Sequence, residues 1–197
     1  MLLDVSMSQL VLVDYQERVI PSIFEGHEVF LNGVRLAKLG NLFNVPTFGV
    51  EQNPSKLGGN LLELKVLCSQ TLSKMQFSAV EEGLGEWLRP HVSEMGNTRS
   101  IPKHLKKPIN QNKNTIVISG CEAHVCLMQT ALDLIEEEFD VWVVTDACGS
   151  RTERNRDAAF DRLASAGAEL LTTEMVAFEW LRSAEHDHFH AVQKLIK

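Results

Sequence analysis

Residues 115–138 read TIVISGCEAHVCLMQTALDLIEEE, and the fold is decided here. TIVIS, at 115–119, is a short apolar run rich in β-branched residues, the pattern of a strand buried on both faces. Gly120 marks a turn, and a helix is predicted over 123–138. A strand that runs straight into a helix is the opening of a parallel βαβ unit. Outward from this stretch the same alternation continues. QLVLVDY at 9–15 is a buried strand, and apolar residues at helical spacing follow over 28–43. VPTFGV at 45–50 is a strand with Pro46 near its start, where a missing N–H is tolerated. Asn53-Pro54 and Gly58-Gly59 punctuate a loop, and residues 79–88 form a short helix. Beyond the opening stretch come a strand at 141–144, a helix over 153–166 ending at Gly167, a short strand at 169–172 and two closing helices. Strand alternates with helix, which predicts an α/β fold, a three-layer α/β/α sandwich with a mostly parallel central sheet. Ligands of such sheets bind beyond the carboxyl ends of the strands.

Composition narrows the function classes. The chain has 197 residues, 44% of them hydrophobic, enough to bury the core of one domain spanning 1–197. No apolar run approaches the roughly 18 residues a membrane span needs. MLLDVSMSQL lacks a basic leader and a small-residue cleavage site, so a cytoplasmic location is expected. Nineteen basic residues against 26 acidic ones leave a net charge of −7, which argues against nucleic acid as a partner. A small-molecule substrate is expected instead. Four cysteines form no C-x-x-C pair and read as free thiols of a reducing compartment. One segment departs from this balance. Residues 89–114 hold three of the six prolines and six basic residues against the single acid Glu94. It reads as a basic insertion: a solvated connection, or a lid or oligomer contact.

Three strand ends bring polar groups to the carboxyl edge: Asp14 after LVLV, Glu51-Gln52 after TFGV, and GCEAHVC after TIVIS. Cys126 falls near the first turn of its helix, where free N–H groups and the helix dipole are expected to lower the thiol pKa. The same residue also reads as a small core side chain. Asp14 is either a loop hydrogen-bonding group or a base for the thiol. Lys74 is either a surface lysine or the cation that holds carboxylate and thiolate together.

LVLVDYQ (10–16), SKMQFSA (73–79), SGCEAHVC (119–126) and VVTDACGSR (143–151) together resemble the isochorismatase-like cysteine hydrolase superfamily, in its order of Asp, Lys and Cys. The resemblance extends to the isochorismatase domain-containing protein subgroup and covers nearly the whole chain outside the basic insertion. It implies a Rossmann-like fold with Asp14 as general base, Cys126 as nucleophile, and Lys74 orienting Asp14 and favouring the thiolate. It places a cis peptide between Cys121 and Glu122 that turns the Glu122 N–H toward that of Cys126 to form an oxyanion hole. It also implies that Gln16, Gln52, Phe77 and His124 line the substrate pocket, and that the protein is a homodimer or higher homo-oligomer. The sequence departs from the metal-binding nicotinamidases of that superfamily: GVEQNPSKLGGN, after the second strand, has no histidine. Glu51 alone falls short of the three or so ligands a catalytic metal needs. No metal or other cofactor is expected, and the thiol favours acyl transfer through a thioester.

His186, His188 and His190 read as part of a solvated terminal helix, on which 188 points away from the other two. Asp146 and Arg151 read as turn-shaping or subunit-contact residues, and Trp142, Met128 and Leu132 as packing. Two rivals stand beside the hydrolase: a binding or scaffold protein of the same fold without turnover, and a redox sensor built on Cys121 and Cys126.

Overall fold

A computed structural model describes residues 1–89 and 114–197. The basic insertion at 89–114 therefore lies, apart from its two end residues, outside the described part. Six strands form one sheet: β1 (Ser8–Val13), β2 (Thr47–Gln52), β3 (Gln70–Lys74), β4 (Thr115–Gly120), β5 (Asp140–Val144) and β6 (Glu169–Leu171). Their order is β3-β2-β1-β4-β5-β6, and every pairing is parallel.

β1 and β4 are buried along their whole length, as their unbroken apolar character requires. Leu10 and Leu12 face one layer while Val11 and Val13 face the other, the period-two alternation of a strand. The first layer contains α1 (Gly26–Leu42), α3 (Leu62–Lys65), α7 (Thr173–Leu181) and α8 (Phe189–Ile196). The second contains α4 (Leu84–Leu88), α5 (Met128–Glu136) and α6 (Glu153–Ser165). A one-turn helix, α2 (Pro54–Leu57), sits in the loop after β2.

The chain builds outward from β1 through β2 to β3, then restarts on the other side of β1 with β4. Neighbouring loops diverge there, which opens a crevice at the carboxyl edge between β1 and β4. Val13 pairs with Gly120 at this edge. The residues that follow, Asp14 and Cys121, begin its two walls.

Two expectations are corrected. The helix predicted over 123–138 is a π turn, Ala123–Leu127, followed by α5. The terminal helix begins only at Phe189, so His186 and His188 lie in the preceding loop. Their ring centroids are 5.5 and 5.4 Å from that of Phe43, and this aromatic packing, not solvation of a helix face, accounts for them. Among the described residues no group of three or more His, Cys, Asp or Glu is arranged to hold a metal ion. No described helix is long and apolar enough to cross a membrane.

Candidate active site

Asp14 leaves β1 in the left-handed region, at φ 53°, while its N–H still donates to Val50 O at 3.1 Å. The next residue locks that kink. Tyr15 is fully buried, and its hydroxyl lies 2.6 Å from Ala147 O and 2.9 Å from Ser119 Oγ. With Tyr15 fixed in one layer, Asp14 faces the cleft.

Lys74 is the last residue of β3 and registers with Gln52 at the end of β2. Its ammonium donates to Asp14 Oδ2 at 3.0 Å and to Gln52 Oε1 at 2.6 Å, with no side-chain area left exposed. The surface-lysine alternative is thereby excluded. Gln52 is held in turn by Gln16, whose Oε1 accepts from Gln52 N and whose Nε2 donates to Gln52 O.

At the end of β4, Gly120 has φ 141°, and a Cβ there would stand 2.0 Å from Val13 O. Only glycine allows so close an approach of β4 to β1. The Cys121–Glu122 peptide is cis. No described residue accepts a hydrogen bond from the Glu122 N–H. The π turn then carries Cys126 into the cleft, with its Sγ 3.7 Å from Gln52 Oε1.

A strap from the β5–α6 loop fixes this turn. Ala123 N donates to Gly149 O at 2.7 Å, and His124 Nδ1 meets Ser150 Oγ at 2.9 Å. Arg151 donates through N and Nε to Glu122 Oε2, at 3.1 and 3.0 Å. This is the structural use of VVTDACGSR. Asp146, in the same motif, accepts from both N and Oγ1 of Thr173 at the start of α7.

The resulting cleft encloses about 140 Å³. Asp14, Gln52, Glu122 and Cys126 supply its polar groups, with Cys121 beside them, and Val19, Leu57, Phe77 and Val125 its apolar walls. Larger depressions of about 490 and 480 Å³, beside Phe178 and beside Phe160, contain none of the three reactive groups. The one at the sheet's carboxyl edge is the candidate site because that is where the chemistry converges.

Of the expected pocket residues, Gln52 and Phe77 line the cleft, while Gln16 and His124 do not. Gln16 is buried behind Gln52, with its amide committed to Gln52 and Gly58. His124 is drawn away by Ser150 and by Asn155, whose Nδ2 lies 3.4 Å from Nε2. Nothing in the sequence marks Val19, Leu57 and Val125, single apolar residues beside or within helical turns too short to show a period.

The electrostatics overturn one expectation. The Cys126 thiol is pushed up to about 12, not lowered: burial contributes most, then the Asp14 carboxylate, and Lys74 pulls the other way without prevailing. Loss of water from the folded cleft disfavours the charged thiolate. Asp14 is itself raised, again chiefly by burial, against the downward pull of Lys74 and of the neighbouring Cys126 thiol. No partner meets Asp14 Oδ1 within hydrogen-bonding distance in the resting arrangement, yet carboxylate and thiol are close enough for each to move the other. At rest Cys126 is thus a thiol, and it stands beside the Asp14 carboxyl group.

The fold and the cleft place the chain in the class of isochorismatase-like α/β hydrolases. The isochorismatase domain matches residues 8–175, and the chain belongs to that family. Isochorismatase domain-containing protein 2 of Xenopus laevis is 34% identical over 189 residues, which covers 96% of this chain and 83% of the relative. The structure of MAR1 ribonuclease from Caenorhabditis elegans superposes with a TM-score of 0.84 at 28% identity, over 100% of this chain and 92% of that one. The Escherichia coli YcaC protein, described as an octameric hydrolase of unknown specificity, gives 0.75 at 25% identity over 99% and 94% of the two chains.

Proposed function

We propose that the chain is a cysteine hydrolase that cleaves small amides or related acyl compounds through a thioester on Cys126. The observation that carries this reading is the pairing of a buried carboxylate oxygen without a partner, Asp14 Oδ1, with a protonated thiol in the same small cleft. The thiol needs a base at the moment of attack, and Asp14 is that base.

As Sγ attacks the carbonyl carbon, its proton passes to Asp14 and the carbonyl electron pair moves onto oxygen. The N–H groups of Glu122 and Cys126 hold that oxyanion. The oxyanion collapses, the C–N bond breaks, and Asp14 returns the proton to the departing amine. Water then attacks the thioester carbonyl with Asp14 again as base. The second collapse expels the sulfur, which regains its proton and frees the carboxylic acid. Lys74, fixed between Asp14 and Gln52, keeps the carboxylate in place.

The roundworm neighbour is named a ribonuclease. A phosphodiester would bring a further negative charge to a cleft whose charged lining groups, among the described residues, are both acids, so an acyl substrate fits better. The octameric assembly of the Escherichia coli neighbour supports a homo-oligomer here, and a monomer by light scattering at micromolar concentration contradicts it.

The test is ammonia release from a panel of small amides by the full chain and by Cys126→Ala. Turnover should fall at least about 10³-fold in the variant. If no amide is cleaved by the full chain, the non-catalytic scaffold takes the place of this reading.

A further inference from the structure

The walls of the cleft limit both the bulk and the charge of what can enter. A volume of about 140 Å³, against roughly 30 Å³ per water in the liquid, displaces on the order of five waters. A carbonyl group with a short chain fills that space, and Val19, Leu57, Phe77 and Val125 offer the chain an apolar surface.

Charge discriminates more sharply. The described charged residues lining the cleft are Asp14 and Glu122, and each already has its own cation. Lys74 lies 3.0 Å from Asp14 Oδ2 and Arg151 3.0 Å from Glu122 Oε2. Lys74 is fully buried, and Gln52, whose Nε2 donates to Met75 O at 2.8 Å, offers an uncharged amide and no cation. Asp14 Oδ1, the one of the three unpartnered buried polar atoms among the described residues that belongs to a cleft residue, is an acceptor: it matches an amide N–H and repels a carboxylate. An anionic ligand would enter a poorly hydrated site with no described counter-ion, the costly case for a buried charge.

Resting on the hydrolase reading above, we infer that the substrate is an uncharged primary amide with a short aliphatic acyl chain, and that amides whose chain ends in a carboxylate or phosphate are rejected. The acyl chain lies against the Val19–Leu57–Val125 side, and the amide nitrogen lies toward Asp14.

Butyramide and succinamate differ chiefly in the terminal carboxylate and make the comparison direct. Their hydrolysis by the full chain, followed by ammonia release, should favour butyramide in kcat/KM by on the order of 10²-fold, the effect of taking one charge out of water without a counter-ion. Val19→Lys, which supplies a cation at the wall, should narrow that ratio at least tenfold. Equal or better hydrolysis of succinamate by the unaltered protein overturns the inference while leaving the hydrolase reading intact. If neither amide is cleaved, binding of both to Cys126→Ala by ligand-observed NMR decides the matter. Selective retention of butyramide supports the inference, and equal binding, a preference for succinamate, or no binding overturns it.

Discussion

Two lysine–carboxylate pairs stand at the ends of adjacent strands, and their lengths do not tell them apart: 3.0 Å for Lys74–Asp14 after β1 and 2.9 Å for Lys65–Glu51 on β2. Their surroundings do. Glu51 Oε1 also accepts from Asn60 N at 2.8 Å, and the Lys65 side chain is 45% exposed. That pair closes the loop between β2 and α3; the nearby Cys68 thiol, pushed up to about 12 by burial and then by Glu51, donates instead to Leu64 O at 3.5 Å. In the Lys74–Asp14 pair both side chains are buried, one carboxylate oxygen lacks a partner, and a protonated thiol stands beside it. An ion pair becomes chemically useful where burial leaves one oxygen unsatisfied next to a transferable proton. Where hydration and backbone donors satisfy it, the same pair is a clasp.

The largest effect that should separate the two regions is on turnover. Asp14→Asn should lower kcat/KM for a short amide by roughly 10²- to 10⁴-fold, while Glu51→Gln should leave it within a fewfold. A comparable loss in Glu51→Gln, with circular dichroism unchanged, would erase the distinction. Next comes stability. Lys74→Met strands the Asp14 charge in the interior and should cost about 3–5 kcal/mol by denaturant titration. Lys65→Met, at a half-exposed site, should cost no more than about 1 kcal/mol.

A smaller effect has the opposite sign and is therefore sharper. Because the Asp14 carboxylate helps push the Cys126 thiol upward, Asp14→Asn should make Cys126 more reactive toward iodoacetamide at pH 8, by several-fold, even as turnover collapses. Slower alkylation would mean that the carboxylate does not raise the thiol. The smallest effect is in pH dependence. The Asp14 pKa lies above its ordinary value, and its protonated form cannot accept a proton. The kcat/KM profile should therefore rise with pH along a limb displaced above that of an ordinary aspartate. For stability the sign runs the other way. A raised carboxyl pKa favours the folded state most below the unfolded-state pKa, and that contribution is lost as pH rises through the folded-state value. Asp14→Asn should remove both dependences, and Glu51→Gln neither.

Much of this was legible in the chain. β1, β2, β4 and β5 announce themselves as apolar, β-branched runs because both their faces are covered. β3 does not: Gln70–Lys74 is an edge strand with its first four residues exposed or half-exposed, so no apolar run marks it, although its last residue is the lysine that matters. The one-turn helices α2 and α3 are too short to show a period. Asp14, Lys74 and Cys126 stood out through the resemblance of their motifs, and the fold brings all three to one edge. The direction of the Cys126 shift was not legible, because it depends on how much water the folded cleft excludes. The same holds for Gln16 and His124, whose polar ends are captured by partners dozens of positions away, and for Arg151, whose grip on Glu122 spans 29 residues of chain.

Intact-mass spectrometry of the protein, quenched in acid while it turns over a short aliphatic amide, probes the central claim most directly. One acyl group should appear on Cys126 and vanish in Cys126→Ala. Turnover that persists in that variant, or an acyl group carried on another residue, would contradict it.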